Sequence, residues 1–436
     1  MKIAIVGTGI SGLVAAHRLH PDHQVTLFEA DSRIGGHANT VDITVDGVRH
    51  AVDTGFIVYN ERNYPGFSSL LRELGVATQP TEMSFSVADI RSGLEYRGSN
   101  LDTLFVQRRN AFRPSFLRLI AEIARFNRAA RALVAGEQQW RGADRLAQPV
   151  SPNDVAAEEE SLEEFVKRGR YSAAFVSLFL VPFGASIWSA DPATFTRFPV
   201  RAYARFMHNH GFLAVGARPA WRTVTGGSRQ YVKTLTASFS DRIRLSSPVH
   251  KIVTRASAGG EKVVELLTDQ GPESFDRIVI AAHSDQALRM LADASAAERS
   301  ILGSIRYQRN TATLHTDDRV LPVNLRARAS WNYAIDENSR RATVTYWMNS
   351  LQSIESTRPL LVTLNRSDTI DAQAVHAEFD YDHPVFDAPA IAAQRRRHEI
   401  QGRRGIYFAG AYWGYGFHED GVQSGIEVAE AIGRTP

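Results

Sequence analysis

The 436-residue sequence contains no cysteine. Without thiols it can form no disulfide, no thiolate metal site and no cysteinyl bond to a cofactor. Its histidines are scattered and lack the short spacings of metal ligands, so we predict no metal site. The most apolar stretch, residues 173–188, is too short to span a bilayer and contains Pro182 and Gly184. We predict that it forms a buried pair of helices.

Lysine is scarce, with 5 Lys against 45 Arg. Their sum of 50 nearly balances 47 acidic residues, and a net charge of +3 does not indicate a nucleic-acid partner. With 44% hydrophobic residues the chain can bury a large core, for which two domains are typical. The first predicted strand begins at residue 2, which leaves no room for a signal peptide and predicts a cytoplasmic protein.

The first forty residues have the pattern of a strand, a glycine-rich turn, a helix and a second strand. The apolar run 3–6 predicts a buried parallel strand, and glycines follow at positions 7, 9 and 12. They permit a tight turn and close approach of a pyrophosphate, to which the helix N-terminus offers N–H groups. Glu29, at the end of the second strand, is placed to bind a ribose hydroxyl. The predicted dinucleotide-binding residues here are Gly7, Gly9, Ile10, Ser11, Gly12, Glu29 and Ala30.

The next motif, residues 33–37 (Arg-Ile-Gly-Gly-His), matches the R-x-G-G-R pattern of flavoproteins of the amine oxidase and phytoene desaturase superfamily. The sequence resembles this superfamily, which implies non-covalently bound FAD. The resemblance also implies that backbone after a hairpin over residues 42–58 approaches the isoalloxazine, and that a helix opening at Asp420 points at the flavin. The further FAD-binding residues it implies are Arg33, Gly35, Gly36, His37, Gly55, Phe56, Ile57, Val249, Gly410, Asp420, Gly421, Val422 and Ser424.

The fold class that the resemblance implies is α/β, with a Rossmann-like FAD-binding domain and an inserted α+β substrate domain. Segments around Val249, in a strand predicted over 247–253, and at the C-terminal end return to the first domain. We therefore expect a discontinuous FAD-binding domain of residues 1–80, 222–290 and 395–436. Residues 81–221 and 291–394 would form the substrate domain.

Five longer stretches are similar to one bacterial family of amine-oxidase-like FAD-dependent oxidoreductases, often described only as predicted NAD/FAD-binding proteins. They are residues 282–288, 314–317, 329–333, 345–352 and 410–421. Members are frequently encoded beside cyclopropane-fatty-acid-synthase-like methyltransferases. The resemblance therefore implies unsaturated or methyl-branched acyl chains of membrane phospholipid as substrates, and a methyltransferase as a partner.

Three departures from the amine oxidase pattern bear on the chemistry. Residues 307–316 lack the lysine that often holds a water against the flavin. His37 replaces the second arginine of the glycine motif, and Ala411 stands where a phosphate-side glutamate is usual. FAD binding is still predicted, whereas the absent lysine argues against plain amine oxidation.

Removing hydrogen from an unactivated or allylic carbon needs a flavin to accept hydride and a base to accept a proton. The superfamily layout brings His418 and Glu419 nearest to the flavin, with His315 and Asp317 next. The alternatives are that His418 binds a flavin carbonyl and that His315 is a satisfied core histidine. The predicted substrate-binding residues are Trp331, Tyr333, Tyr346, Trp347, Asn349, Trp413 and Tyr415.

Residues 101–136 are rich in arginine and aromatic side chains. Seven arginines face only Asp102 and Glu122, a local net charge of +5. A basic amphipathic helix of this kind can lie in a membrane interface and pair with lipid phosphates. The alternative is a helix of the substrate domain with a solvated arginine face.

The predicted function is an FAD-dependent oxidoreductase that oxidises, desaturates or isomerises unsaturated or methyl-branched fatty acyl chains, in the cytoplasm or at the inner membrane face. Two alternatives keep the fold. One is a flavin oxidase for a small soluble amine or amino acid, which a carboxylate-binding arginine would favour and a long apolar tunnel would disfavour. The other is a non-catalytic lipid-binding partner of a methyltransferase.

Overall fold

The computed structural model describes residues 1–140, 160–213, 219–256, 262–336 and 341–433. Its strands are β1 (Lys2–Val6), β2 (Gln24–Phe28), β3 (Thr40–Val45), β4 (Val48–Asp53), β5 (Tyr59–Asn60), β6 (Thr78–Thr81), β7 (Phe85–Asp89), β8 (Leu94–Arg97), β9 (Trp221–Val224), β10 (Ile243–Arg244), β11 (Lys251–Ala256), β12 (Lys262–Thr268), β13 (Gly271–Phe275), β14 (Arg277–Ile280), β15 (Tyr307–His315), β16 (Trp331–Ile335), β17 (Thr343–Trp347), β18 (Leu361–Leu364), β19 (Val375–Pro384) and β20 (Ile406–Phe408).

The α-helices are α1 (Ile10–Leu19), α2 (Pro65–Glu73), α3 (Leu101–Leu104), α4 (Pro114–Trp140), α5 (Leu162–Arg168), α6 (Ala173–Phe175), α7 (Val181–Trp188), α8 (Pro192–Phe195), α9 (Val200–Asn209), α10 (Arg229–Thr236), α11 (Ser284–Met290), α12 (Ala296–Gly303), α13 (Met348–Leu351), α14 (Ala388–Arg395) and α15 (His418–Gly433). The predicted domains also include residues 141–159, 214–218, 257–261, 337–340 and 434–436, which lie outside the described residues. The domain boundaries stay predictions.

Five parallel strands form one sheet in the order β10-β2-β1-β14-β20. Its central strand β1 is apolar because both faces are covered. Ile3 and Ile5 pack with residues of α1, α10 and α15 on one side. Ala4 and Val6 pack with residues of β11, β12, α11 and α12 on the other. This doubly covered parallel sheet confirms the predicted fold class.

Seven strands form a second sheet in the order β19-β15-β18-β17-β16-β7-β8, antiparallel except for the pair β7 and β16. Phe126 of α4, Phe175 of α6 and Tyr203 of α9 are fully buried in the core beside it, together with Val344 of β17. The hairpin predicted over residues 42–58 is formed by β3 and β4.

The stretch 173–188 is one continuous helical run and not the predicted pair of helices. α6 passes through a π-helical segment, Val176–Leu180, into α7, whose first turn contains Pro182. A π turn shifts the hydrogen-bond pattern by one residue, and this lets the run continue past a proline that has no N–H.

Two further elements begin later than predicted. The strand predicted from residue 247 begins at Lys251, because Pro248 has no amide hydrogen to donate to a sheet. The basic helix predicted over 101–136 begins at Pro114, after α3 and a 3₁₀ turn. Proline favours the first turn of a helix and disfavours helical backbone in the residue before it. Among the described residues, no helix is both long enough and apolar enough to cross a membrane.

Candidate active site

A cavity of about 1300 Å³ is lined by residues of both large sheets. We define its dinucleotide half by the lining residues within 7–11, 28–37, 247–250 and 281–283, together with those of α11 and β19. We define its aromatic half by the lining side chains within residues 83–104 and 206–212, and by those of β16, β17, α4, the π-helical segment and α7. The dinucleotide half lies at the carboxyl edge of the parallel strands, where α/β folds bind ligands.

The glycine turn brings bare backbone to the cavity. Gly7 has φ +103°, and a Cβ there would lie 2.7 Å from the carbonyl oxygen of Ala281. Gly9 is the N-cap of α1 without any side-chain cap, and a Cβ on it would meet no described atom within 4 Å. The first N–H groups of α1 and the open space beside Gly9 therefore form a cradle for a phosphate.

Glu29 lines the cavity at the end of β2. One carboxylate oxygen, Oε2, accepts hydrogen bonds from the N–H and Oγ1–H of Thr8, at 2.9 and 2.5 Å, and Oε1 accepts one from the N–H of Asp31. The carboxylate is thus fixed beside the glycine turn, where a ribose would lie.

The second glycine pair packs against the first turn. Gly35 and Gly36 both have positive φ, and a Cβ on Gly36 would lie 3.1 Å from the Cα of Gly9. Arg33 is one of the residues predicted to bind FAD. Its Nη1 donates to the carbonyl oxygen of Gly36 at 2.8 Å, so its first role is to hold this turn, although it also lines the cavity.

Five of the predicted FAD-binding residues lie behind the cavity wall and do not line it: Gly12, Asp420, Gly421, Val422 and Ser424. Gly421 lets α15 approach α1, since a Cβ there would lie 2.7 Å from Ile10. The Oγ of Ser424 accepts a hydrogen bond from the N–H of Gly410. Asp420 accepts hydrogen bonds from the N–H groups of residues 415 and 417, and burial raises its pKa to about 7. These residues position the wall.

Phe56 and His418 stand where the two halves meet. Their rings stack at 3.8 Å between centroids, and Nε2 of His418 lies 2.9 Å from the hydroxyl of Tyr231. Burial lowers the pKa of His418 to about 3, so the ring is neutral. Phe417, the residue before it, stacks on Phe206 of the aromatic half. His418 thus lines the cavity with Nδ1 as the nitrogen that remains for a ligand.

The structure corrects the other two predicted catalytic residues, neither of which lines the cavity. The carboxylate of Glu419 accepts hydrogen bonds from the N–H groups of Gly66 and Phe67, both at 2.9 Å, and so caps α2. His315 is fully buried on β15, with Nε2 2.7 Å from the hydroxyl of Thr363 and Nδ1 accepting from the N–H of Asp317. It is the satisfied core histidine of the alternative prediction.

Three of the seven predicted substrate residues line the cavity: Trp331, Tyr346 and Tyr415. Trp347 follows Tyr346 on β17, so its side chain lies on the opposite face of the sheet, and its indole N–H donates to Asn349. Asn349 also accepts from the N–H of Leu360. Trp413 donates to the carbonyl oxygen of Phe408 in the core. Tyr333 lies two residues beyond Trp331, outside the cavity.

Most of the aromatic half was not predicted. Phe179 and Phe183, one helical turn apart, stack at 5.9 Å between centroids, and Phe206 and Phe212 complete this wall. The spacing of four residues within the apolar stretch 173–188 was a usable signal for the first two. The others come from distant elements and have no pattern in the sequence.

His210 is a further unpredicted residue in this half. Its ring stacks on Phe206 at 3.9 Å, and Nδ1–H donates to the carbonyl oxygen of Phe206 at 3.0 Å. This hydrogen bond fixes the tautomer and leaves Nε2 as a proton acceptor. Burial lowers the pKa of His210 to about 4, so it is neutral near pH 7. A single histidine without a motif gave no sequence signal.

Three imidazoles line the dinucleotide half. The ring of His37 lies 6.2 Å from that of His283 and 5.5 Å from that of His383, between centroids. Burial lowers the pKa of each, and the neighbouring rings lower that of His37 further. These neutral rings can donate hydrogen bonds to a phosphate or a ribityl hydroxyl. With the glycine cradle and Glu29, the residues present fit FAD.

Known proteins resemble the chain in sequence and in fold. A model of the flavin-containing amine oxidoreductases matches residues 10–359, while no curated protein sequence matches. Cyclohexylamine oxidase from Brevibacterium oxydans IH-35A has a TM-score of 0.69 at 18% identity, over 99% of this chain and 98% of that one. Wild-type putrescine oxidase bound to putrescine has a TM-score of 0.67 at 16% identity, over 99% of both chains. A CLA-producing fatty acid isomerase from P. acnes has a TM-score of 0.65 at 16% identity, over 99% of this chain and 98% of that one.

The fold and the cavity define an FAD-dependent oxidoreductase. Because the family model matches most of its length, the chain belongs to the flavin-containing amine oxidoreductase family. The solved structures are less than 25% identical to it, so their likeness is one of fold.

Proposed function

We propose that the protein oxidises, desaturates or isomerises unsaturated or methyl-branched fatty acyl chains carried by membrane phospholipid. The observation that supports this most directly is the lining of the aromatic half, which is mainly apolar or aromatic; its polar members include Ser84, Asn100, Asn127, Ser186 and His210. Its apolar and aromatic members include Met83, Phe85, Tyr96, Leu104, Ile120, Ile123, Phe179, Phe183, Phe206, Phe212, Trp331 and Tyr346. Such walls exclude water and favour a hydrocarbon. A fatty acid isomerase also has this fold, in agreement with the proposal.

Charge is confined to the dinucleotide half. Among the described residues, the Asp, Glu and Arg side chains that line the cavity are Glu29, Arg33, Arg289, Asp380 and Asp382. A protonated amine or a free carboxylate in the aromatic half would lack a counter-charge, which is costly in an apolar site. A neutral acyl segment incurs no such cost.

Desaturation removes a hydride and a proton from adjacent carbons. FAD, when bound, supplies the hydride acceptor. The candidate proton acceptor is Nε2 of His210, which lines the aromatic half and whose Nδ1–H is bonded to Phe206. Burial lowers the pKa of His210 to about 4, which keeps the ring neutral but makes it a weak base. His418, held by Phe56 and Tyr231, orients the reacting segment or the cofactor where the halves meet. Isomerisation would return the hydride to another carbon of the same chain.

Oxidation of a small amine is the second candidate function. Tyr412, Tyr415 and Phe417 line the cavity, and aromatic rings can enclose an amine. Cyclohexylamine oxidase and putrescine oxidase also share the fold. The absence of lysine from residues 307–316 and of charge from the described lining of the aromatic half argues against this candidate.

The deciding experiment is anaerobic rapid mixing of the FAD-loaded protein with detergent-dispersed monounsaturated or methyl-branched phospholipid, and separately with small primary amines. Bleaching of oxidised flavin by the lipid, with a product that has a new double bond, is expected for desaturation. A shifted double bond without net bleaching would identify isomerisation. Bleaching by amines alone would overturn the proposal. No reaction with either would favour a lipid-binding role beside a methyltransferase.

A further inference from the structure

Five exposed apolar side chains lie on two segments at the outer end of the aromatic half. Leu101, Phe112 and Leu117, in the arginine-rich segment, are 73%, 87% and 45% exposed. Val323 and Leu325, between β15 and β16, are 89% and 71% exposed. We call these five residues the docking face. Side chains of this size are rarely left in water together without a partner.

The two segments are neighbours in the fold although they are far apart in sequence. Asp102 of α3 forms a salt bridge with Arg326, 224 residues away. Glu95 of β8 accepts hydrogen bonds from the N–H groups of Val323 and Asn324, at 2.7 and 2.9 Å. These bonds hold the loop that carries Val323 and Leu325 beside β8 and α3, and therefore near Leu101.

The cavity opens at this face. Residues 98–101 line the cavity and are also exposed to solvent, which residues can do only at an opening. Further from the solvent, Leu104 of α3 and Ile120 of α4 line the cavity. A hydrocarbon chain that leaves an apolar phase at Leu101 can therefore enter the aromatic half without crossing water.

The charge around the opening is positive. Residues 101–118 contain four arginines and a single acid, Asp102. Arg109 and Arg113 are exposed. Arg108 and Arg118 pair with Asp102 and Glu122 but keep 60% and 65% of their side-chain surface exposed. Guanidinium groups bind phosphates, and apolar side chains between them can enter the acyl layer beneath. A protein partner would cover the apolar residues equally well but would also block the opening.

From this arrangement we infer that the docking face binds an anionic phospholipid bilayer and passes acyl chains from it directly into the cavity. The docking face is larger than the arginine-rich segment alone, because Val323 and Leu325 lie on a second segment and are also highly exposed. The identity of the chain that enters rests on the proposed function. Binding to the bilayer can be measured without it.

The test is sedimentation of the full-length, FAD-loaded protein with vesicles of phosphatidylglycerol or of phosphatidylcholine. We expect binding to phosphatidylglycerol that weakens with salt, and a partition coefficient about tenfold lower for V323S/L325S. The matched control V48S/L267S changes side chains that are 57% and 38% exposed on other elements, and it should bind like the wild type. The visible absorbance of bound flavin verifies that each variant folds.

Equal binding by V323S/L325S and the wild type would overturn the inference, and so would sedimentation only after a cyclopropane-fatty-acid-synthase-like methyltransferase is added. Two measurements on the wild-type protein distinguish this inference from the proposed function. If it converts detergent-dispersed phospholipid but never sediments with vesicles, the docking inference fails alone. If it sediments but reacts with no acyl chain, the proposed function fails alone.

Discussion

The two halves of the cavity are built by different means. The dinucleotide half presents backbone: a Cβ on Gly7 would lie 2.7 Å from the carbonyl oxygen of Ala281, and one on Gly36 would lie 3.1 Å from the Cα of Gly9. The aromatic half presents side chains from nine separate helices and strands. Backbone contact requires glycine at fixed spacings, whereas a wall of side chains requires only suitable volume and polarity. The dinucleotide half is therefore visible in the sequence, whereas most of the aromatic half is not.

The largest effect should come from Gly9→Val. A Cβ at Gly9 meets no described atom within 4 Å, so the variant should fold, but its side chain occupies the space beside the N-terminus of α1. We expect FAD affinity to fall by about 100-fold or more, measured from the absorbance of bound flavin. Gly12→Val, whose Cβ would lie 2.1 Å from the oxygen of Gly7, should also lose folded protein by circular dichroism. Unchanged FAD affinity in Gly9→Val would show that the dinucleotide half does not depend on bare backbone at the glycine turn.

Phe183→Ala tests the aromatic half. The ring packs edge-on against Phe85 and Phe212, at 5.1 and 5.2 Å between centroids. Its loss should raise KM for the acyl substrate about tenfold and leave the FAD content unchanged. Phe165→Ala, in the core away from the cavity, should lower the free energy of unfolding by about 3–5 kcal/mol without changing KM. An equal loss of FAD and of substrate affinity in Phe183→Ala would show that the halves are not separate.

The neutral histidines predict a loss of stability in acid for the FAD-free protein. Burial lowers the pKa of His210 and His383 to about 4, below the ordinary 6.5 of the unfolded chain. Between these values the unfolded chain binds protons that the folded protein does not, so the free energy of unfolding falls as the pH falls. Each histidine contributes a slope of about 1.4 kcal/mol per pH unit.

Urea titrations across this pH window should show a smaller slope for His210→Gln than for the wild type. Anionic phosphates favour the charged imidazole, so FAD should reduce the contribution of His383 and leave that of His210. Identical slopes in the wild type and His210→Gln would contradict the assignment of a buried, neutral ring to the aromatic half.

The smallest effect on catalysis is expected for Glu419→Gln. Because this carboxylate caps α2 outside the cavity, the variant should lower the free energy of unfolding by about 1 kcal/mol and change kcat by no more than about twofold. Denaturant titration and steady-state turnover measure the two quantities. A loss of turnover of about 100-fold would return Glu419 to the catalytic residues.

Local patterns predicted the parallel sheet, the glycine turns and the hairpin, because each is specified by a few adjacent residues. Glu419 and His315 were assigned from their positions in the family layout, but hydrogen bonds to Gly66 and Thr363 decide their roles, and these partners are distant in sequence. His210 was missed because a single histidine without a motif gives no signal in the sequence. The docking face depends on Asp102 meeting Arg326, a contact that no pattern in the chain reports.

The last strand of the parallel sheet, β20, and the helix that follows it, α15, also bear on when the protein can bind its cofactor during synthesis. Gly421 and Gly425 let α15 press on α1 so closely that a Cβ on either would come within 2.7 Å of residues 10 and 11. During synthesis, Gly421 and Gly425 leave the ribosome only after roughly 400 further residues have followed the glycine turn that they cover. We therefore expect a nascent chain to retain flavin only once this closing piece has emerged, which would make cofactor loading a late step of biogenesis.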